Sequence, residues 1–248
     1  MIIFYDIITA LPNQTLSPNS WKTRFTLNIK GIPYRTEWLE FDEIQERLKA
    51  DGFNPTGKKD DGSDFYTLPA IHDTSAGTKV ADSFLIAQYL DKTYPDTPKI
   101  FPHLTTGLQS AFEDQFMTSL TSMWPFSFLP VHSKLTPRGQ AHNRKAKQEQ
   151  FGKPLESFEL TGEEAVREWE NFRNAIGKID EYYAKTGGTD SFLLGDSISW
   201  GDIVVASFFN YLKLAFGDDS ERWKDISKWH AGRWNRLLIA FDRYTSVL

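Results

Sequence analysis

Apolar residues recur along this chain with two different periods, and the change from one to the other divides it. Residues 2–8 are rich in β-branched side chains and form too short a run for a helix, so they read as a buried strand. Trp21, Phe25 and Ile29 then recur at i, i+4 and i+8, which predicts the buried face of a helix. Lys22, Thr26 and Lys30 are expected on its opposite face, and Gly31 ends it. In Thr67-Leu68-Pro69-Ala70-Ile71 a strand pattern is interrupted by a proline whose place is a sheet edge or a cis turn. Asp82 or Ser83 is expected to cap the next helix, which carries Leu85, Ile86, Tyr89 and Leu90 and stops before Pro95.

Strand-like alternation ends there. Pro95, Pro98 and Pro102 mark a linker over residues 94–104, and no internal repeat is evident. Phe112, Phe116, Leu120 and Met123 follow at spacings of three and four, until Trp124-Pro125-Phe126 breaks or kinks the helix. A second helical block covers residues 163–183. A third, with Ile203, Val204, Phe208 and Leu212, is apolar nearly all round and belongs in a core. It opens on Ser199-Trp200-Gly201-Asp202, which fits a capping box. The expected organisation is an α/β domain over residues 1–94 and an all-α domain over residues 105–248.

Composition narrows the chemistry. With 248 residues and 40% apolar side chains the chain can bury real cores. A net charge of −5 argues against a nucleic acid or anionic membrane as partner. No apolar run approaches the roughly 18 residues of a membrane span, and Met1 leads straight into a strand pattern, so a cytoplasmic protein is expected. The absence of cysteine excludes disulfides, thiolate zinc sites and a protein-thiol redox cycle. His72, His103, His132, His142 and His230 show no metal spacing, so no metal is expected. Gly57-Lys58-Lys59 and Lys185-Thr186-Gly187-Gly188 lack phosphate-loop spacing and read as solvated turns.

The segment LSPNSWKTRFTLNIKGIPYRTE, residues 16–37, carries the most specific chemistry. Ser17 falls between strand and helix, and Pro18 suits the first helical turn, where the unpaired amides that follow favour an anion. A serine there is ordinarily only an N-cap worth about 0.5–2 kcal/mol. The order of motifs says more: a strand followed by S-P-x-x-W-x-x-R, then L-P-A-I, then A-D-S at a helix start. In that order the chain resembles the cytosolic glutathione transferases. Its serine in place of cysteine or tyrosine, its S-W-K-T-R helix and its long loop GKKDDGSDFYTLP resemble most the fungal serine-type FuA class, related to bacterial lignin β-etherases.

The resemblance implies a thioredoxin-like glutathione-binding domain followed by an all-helical domain that contributes the hydrophobic substrate site, in a homodimer. It implies that Ser17 donates a hydrogen bond to the glutathione sulfur, with Ser20, one turn along, as its rival. Leu68, before a cis Pro69, pairs its backbone with the cysteinyl part of glutathione. Asp82 and Ser83 hold the γ-glutamyl end, and Lys58 or Lys59 meets the glycyl carboxylate. Phe116, Met123, Trp124 and Phe126 line the pocket for a second, aromatic or phenolic molecule; otherwise they are ordinary packing anchors of a bundle. The activity implied is conjugation by the glutathione thiolate or hydroperoxide reduction, with ligandin-type storage of phenolic compounds. A predominantly non-catalytic ligandin and a glutathione-dependent β-etherase are the alternatives. Glutathione is the co-substrate, and no metal takes part.

Overall fold

The β-branched run at the start of the chain forms β1 (Ile2–Ile7), and α1 (Pro18–Lys30) returns the chain so that β2 (Tyr34–Leu39) lies parallel to β1. A computed structural model describes residues 1–188 and 191–248. After β2 come α2 (Ile44–Ala50), a small hairpin of β3 (Gly57–Lys58) and β4 (Asp64–Phe65), then β5 (Ala70–Asp73), β6 (Thr78–Ala81) and α3 (Ser83–Thr93). The main sheet has the order β2-β1-β5-β6, with β5 and β6 antiparallel to their neighbours. Side chains alternate across it. Ile2, Phe4 and Ile71 pack with Leu27, Ile86 and Leu90 from α1 and α3, while Tyr5 and Ala70 pack with Leu48, Phe53 and Tyr66.

Of the two places expected for Pro69, the structure has the cis turn: the Leu68–Pro69 peptide is cis and lies just before β5, so the ladder begins at Ala70 with its donors intact. One expectation about the helix needs correction: α1 is not amphipathic in the expected sense. Lys22, Thr26 and Lys30 are buried, and Ile29 is only half-buried. Lys30 is accommodated because its ammonium donates to Asp91 Oδ1 at 2.7 Å and to the Pro98 carbonyl at 3.0 Å. Asp91 also accepts from the Ile100 amide, which ties the proline-rich stretch onto α3.

This unit comprises Met1–Ile100 together with Leu135–His142 and Arg243–Leu248. Within it Arg138 pairs with Asp42 and Glu43 at 2.8 and 2.7 Å. The terminal segment is pinned by Asn28, whose amide donates to the Tyr244 and Ser246 carbonyls, and by Tyr34, whose hydroxyl donates to the Ser246 carbonyl.

The second unit, Phe101–Lys134 with Asn143–Asp242, is helical. It contains α4 (Thr106–Ser119), a 3-10 turn at Thr121–Met123, α5 (Trp124–Lys134) and the later part of α6 (Pro137–Phe151). A second 3-10 turn, Leu155–Phe158, leads to α7 (Gly162–Thr186), α8 (Trp200–Phe216), α9 (Glu221–Ile226) and α10 (Trp229–Phe241). Pro125 sits in the first turn of α5, where its missing N–H costs nothing, so the 3-10 turn and a new helix replace a continuous rod. The apolar α8 is buried along almost its whole length. Its start is held by Asp202, whose Oδ2 accepts from the Ser199 amide and hydroxyl at 2.9 and 2.8 Å and whose Oδ1 accepts from the Leu193 amide at 2.8 Å.

Burial outweighs those three bonds and pushes the Asp202 carboxyl up to about 6. The folded protein therefore holds this proton more tightly than the unfolded chain does. The stability it contributes is complete below about pH 4 and is lost as pH rises through 6. In urea titrations the stability of the wild type relative to Asp202→Asn is expected to fall by up to about 3 kcal/mol between pH 4 and pH 7. A difference independent of pH contradicts this placement of the Asp202 charge.

Candidate active site

One end of the sheet gathers the residues of interest. The registers set Tyr5 opposite Ala70 and Ala70 opposite Ala81, so the end of β1, the start of β5 and the end of β6 are neighbours. Leu68 and cis Pro69 lie just beyond this ladder, and the Asp82 amide donates to the Pro69 carbonyl at 3.2 Å. Asp82 has φ 82° and ψ 125°, a conformation that side chains other than glycine rarely adopt and that persists only where its surroundings enforce it. Its exposed carboxylate caps α3: Oδ1 accepts from the Phe84 and Leu85 amides at 2.9 and 3.0 Å, which leaves Oδ2 for another donor. Ser83, the first residue of that helix, is buried.

Ser17 is the N-cap of α1, and it is half-buried. Its Oγ accepts from the Ser20 amide at 3.4 Å, and its carbonyl accepts from the Trp21 amide at 3.0 Å. Capping uses a lone pair of the hydroxyl and leaves its proton to be donated. Pro18 has no amide hydrogen, and Asn19 is exposed beside it. Ser20 lies one helical turn inward, fully buried, and its hydroxyl has no partner among the described residues. The start of α1 is fastened to the end of β1 through Asp6. Thr15 Oγ1 donates to Asp6 Oδ2 at 3.2 Å and the Arg24 guanidinium does so at 2.7 Å, both carboxylate and guanidinium being fully buried.

Lys58 and Lys59 stand on the hairpin and have other partners. Lys58 pairs with Asp64 at 2.5 Å, and Lys59 donates to Gln45 at 3.0 Å, all in the open. The base of the hairpin reaches the residue before Leu68 through a 2.9 Å hydrogen bond between the Thr56 and Thr67 hydroxyls.

In the helical unit the four aromatic and sulfur residues separate. Phe116 and Met123 are fully buried, and Phe116 meets Phe208 edge to face at 5.6 Å. Phe126 is also buried, against Trp169 at 5.0 Å and under the Arg222 guanidinium at 5.1 Å. Only Trp124 of the four faces a cavity of about 570 Å³, which Phe128, Phe151, Phe158 and Tyr211 share with it. The structure thus does not bring Phe116, Met123 and Phe126 to that wall. Phe128, one helical turn from Trp124, was the available signal; Phe151 and Phe158 are distant in sequence and carried none.

The family model for the glutathione S-transferase N-terminal domain matches residues 16–93, and that for the C-terminal domain matches residues 107–244. The chain belongs to the glutathione S-transferase family. Among solved glutathione S-transferases it is similar to CsGST63524 of Ceriporiopsis subvermispora, crystallised in complex with glutathione. The TM-score is 0.93 at 38% identity, over 100% of this chain and 98% of that one. GSTFuA3 from Phanerochaete chrysosporium compares equally well, with TM-score 0.93, 38% identity and coverage of 100% and 98%. The glutathione S-transferase-like protein ustS of Aspergillus flavus is 28% identical over 250 residues, spanning 96% of this chain and 88% of that protein. The fold of this glutathione S-transferase, a thioredoxin-like sheet and helix domain with a helical C-terminal domain, is the one its sequence motifs imply. No helix among the described residues is long and apolar enough to cross a membrane.

Proposed function

We propose that this glutathione S-transferase binds glutathione at the sheet end formed by Leu68, cis Pro69, Asp82 and Ser83, and activates its thiol with the Ser17 hydroxyl. The observation that carries the proposal is the state of Ser17: as N-cap it accepts from Ser20 and keeps its own proton for a sulfur. A cysteine-like thiol has a pKa near 8.5. Lowering it by about two units takes about 2.7 kcal/mol, within reach of one hydrogen bond to a charged acceptor and the positive end of α1. Ser17 then needs no base, because it stabilises the thiolate and is not itself the nucleophile.

In this reading the Leu68 backbone, outside the ladder, pairs with the cysteinyl unit, and Asp82 Oδ2 receives the γ-glutamyl ammonium. Lys58 or Lys59 meets the glycyl carboxylate with donors that their bonds to Asp64 and Gln45 leave over. The thiolate forms a carbon–sulfur bond to an electrophile as the leaving group departs with its electron pair; with a hydroperoxide as acceptor, a second glutathione completes the reduction. Ligandin-type binding of aromatic compounds by the helical domain is the second reading, favoured by the ring-walled cavity at Trp124. A cytoplasmic homodimer is the setting proposed for both.

Calorimetry with glutathione tests the binding half. Asp82→Asn keeps the oxygen that caps α3 and removes the charge, so affinity is expected to drop about tenfold to a hundredfold with the fold unchanged. Unaltered affinity removes Asp82 from the site.

A further inference from the structure

The cavity at Trp124 contains a cation that meets no anion among the described residues. Lys147, on α6, lines the cavity together with Phe128, Phe151 and Phe158. Its ammonium lies 4.7 Å from the ring centre of Phe128 and 5.3 Å from that of Phe151. The three phenylalanines touch one another, at 6.0 Å for Phe128 and Phe151 and 5.0 Å for each with Phe158. Lys147 donates to Gln150 Oε1 at 3.2 Å and has no ion pair among the described residues. Among the described residues no aspartate or glutamate lines the cavity, whose other polar side chains are Thr121, Trp124, Asn143, Gln150 and Tyr211. Burial alone lowers the lysine from its ordinary value, with no carboxylate raising it.

A partly desolvated ammonium held only by ring faces and a neutral amide has unused capacity for a charge-assisted hydrogen bond. The rings around it offer flat apolar surface to the rest of a ligand. We infer that this cavity selects planar aromatic carboxylates, with Lys147 receiving the carboxylate and Trp124, Phe128, Phe151 and Phe158 enclosing the ring system. The inference rests on the reading that the helical domain holds an aromatic ligand, and goes beyond it by fixing the ligand's charge and the residue that reads it. A neutral aromatic loses the ion pair, and an aliphatic carboxylate loses the ring contacts.

Calorimetry on the full chain with saturating glutathione, which keeps carboxylates from its own site, separates these contributions. 2-Naphthoate is expected to bind about tenfold to a hundredfold more tightly than 2-naphthamide or hexanoate. Lys147→Met should erase the preference for naphthoate over naphthamide while leaving naphthamide binding intact, and Lys147→Arg should restore it. Equal affinities of naphthoate and naphthamide in the wild type overturn the charge selection and leave an aromatic site standing. A preference that survives Lys147→Met moves the anion site elsewhere and overturns the assignment. If neither naphthalene compound binds, the inference and the ligandin reading fall together.

Discussion

Replacing Arg24 with leucine is expected to cost about 3–5 kcal/mol of stability, more than any other single change considered for this protein. The guanidinium is fully buried, as is its partner Asp6, and it donates to Asp6 Oδ2 at 2.7 Å, to the Tyr34 hydroxyl at 3.2 Å and to Thr36 Oγ1 at 3.3 Å. Four rings surround it: Phe4 at 4.8 Å, Trp38 at 5.5 Å, Tyr34 at 5.7 Å and Trp21 at 5.8 Å. Truncation strands the Asp6 charge in that apolar setting, leaving it the Thr15 hydroxyl and the Ile7 amide among the described residues. The penalty belongs to the uncompensated charge and not to the pair as such. Arg24→Leu combined with Asp6→Leu should therefore be closer to wild type than Arg24→Leu alone, a comparison that urea unfolding reads directly. If the double variant is the less stable of the two, the ion pair stabilises the fold in its own right and this explanation is wrong.

Because Asp6 also receives Thr15, this pair fastens the start of α1 to the end of β1. Arg24 thus positions the helix mouth at which Ser17 stands, although it touches neither the proposed thiol nor its donor.

What could be read from the sequence was local. The β-branched run of β1, the Gly31 stop, the proline before Ala70, the Asp82 cap and the Ser199–Asp202 start of α8 are each set by a few adjacent residues. The structure realises them nearly as written. What was missed depends on partners far away in the chain. Lys30 looked like a solvent-facing residue because Asp91, which makes its burial tolerable, is sixty-one positions on. In α6 the run PRGQAHNRKAKQEQF has no apolar stripe to announce a helix. The resemblance puts Phe116, Met123, Trp124 and Phe126 together on one pocket wall. The 3-10 turn Thr121–Met123 separates α4 with Phe116 from α5, and within α5 Trp124 and Phe128, four residues apart, line one cavity while Phe126 is turned toward Trp169.

The second large effect belongs to Ser17. Ser17→Ala removes the proposed donor to sulfur, and kcat/KM for conjugation at neutral pH is expected to fall about tenfold to a hundredfold. Loss of the cap also costs about 1 kcal/mol of stability, so two companions are informative: Ser17→Gly, which spares most of the capping penalty but has no hydroxyl, and Ser17→Thr, which keeps one. Activity should follow the hydroxyl and not stability. Ser20→Ala, deep in the first turns of α1, should leave catalysis nearly unchanged.

The most direct measurement is a pH titration of the ultraviolet absorbance of glutathione thiolate bound to wild type, Ser17→Ala and Ser20→Ala. The wild-type midpoint should lie below the roughly 8.5 of a free thiol, with Ser20→Ala superimposed on it and Ser17→Ala displaced upward by about one to two pH units, equivalent to about 1.4–2.7 kcal/mol. A midpoint that stays in place in Ser17→Ala and rises in Ser20→Ala would contradict the assignment of the activating hydroxyl to Ser17.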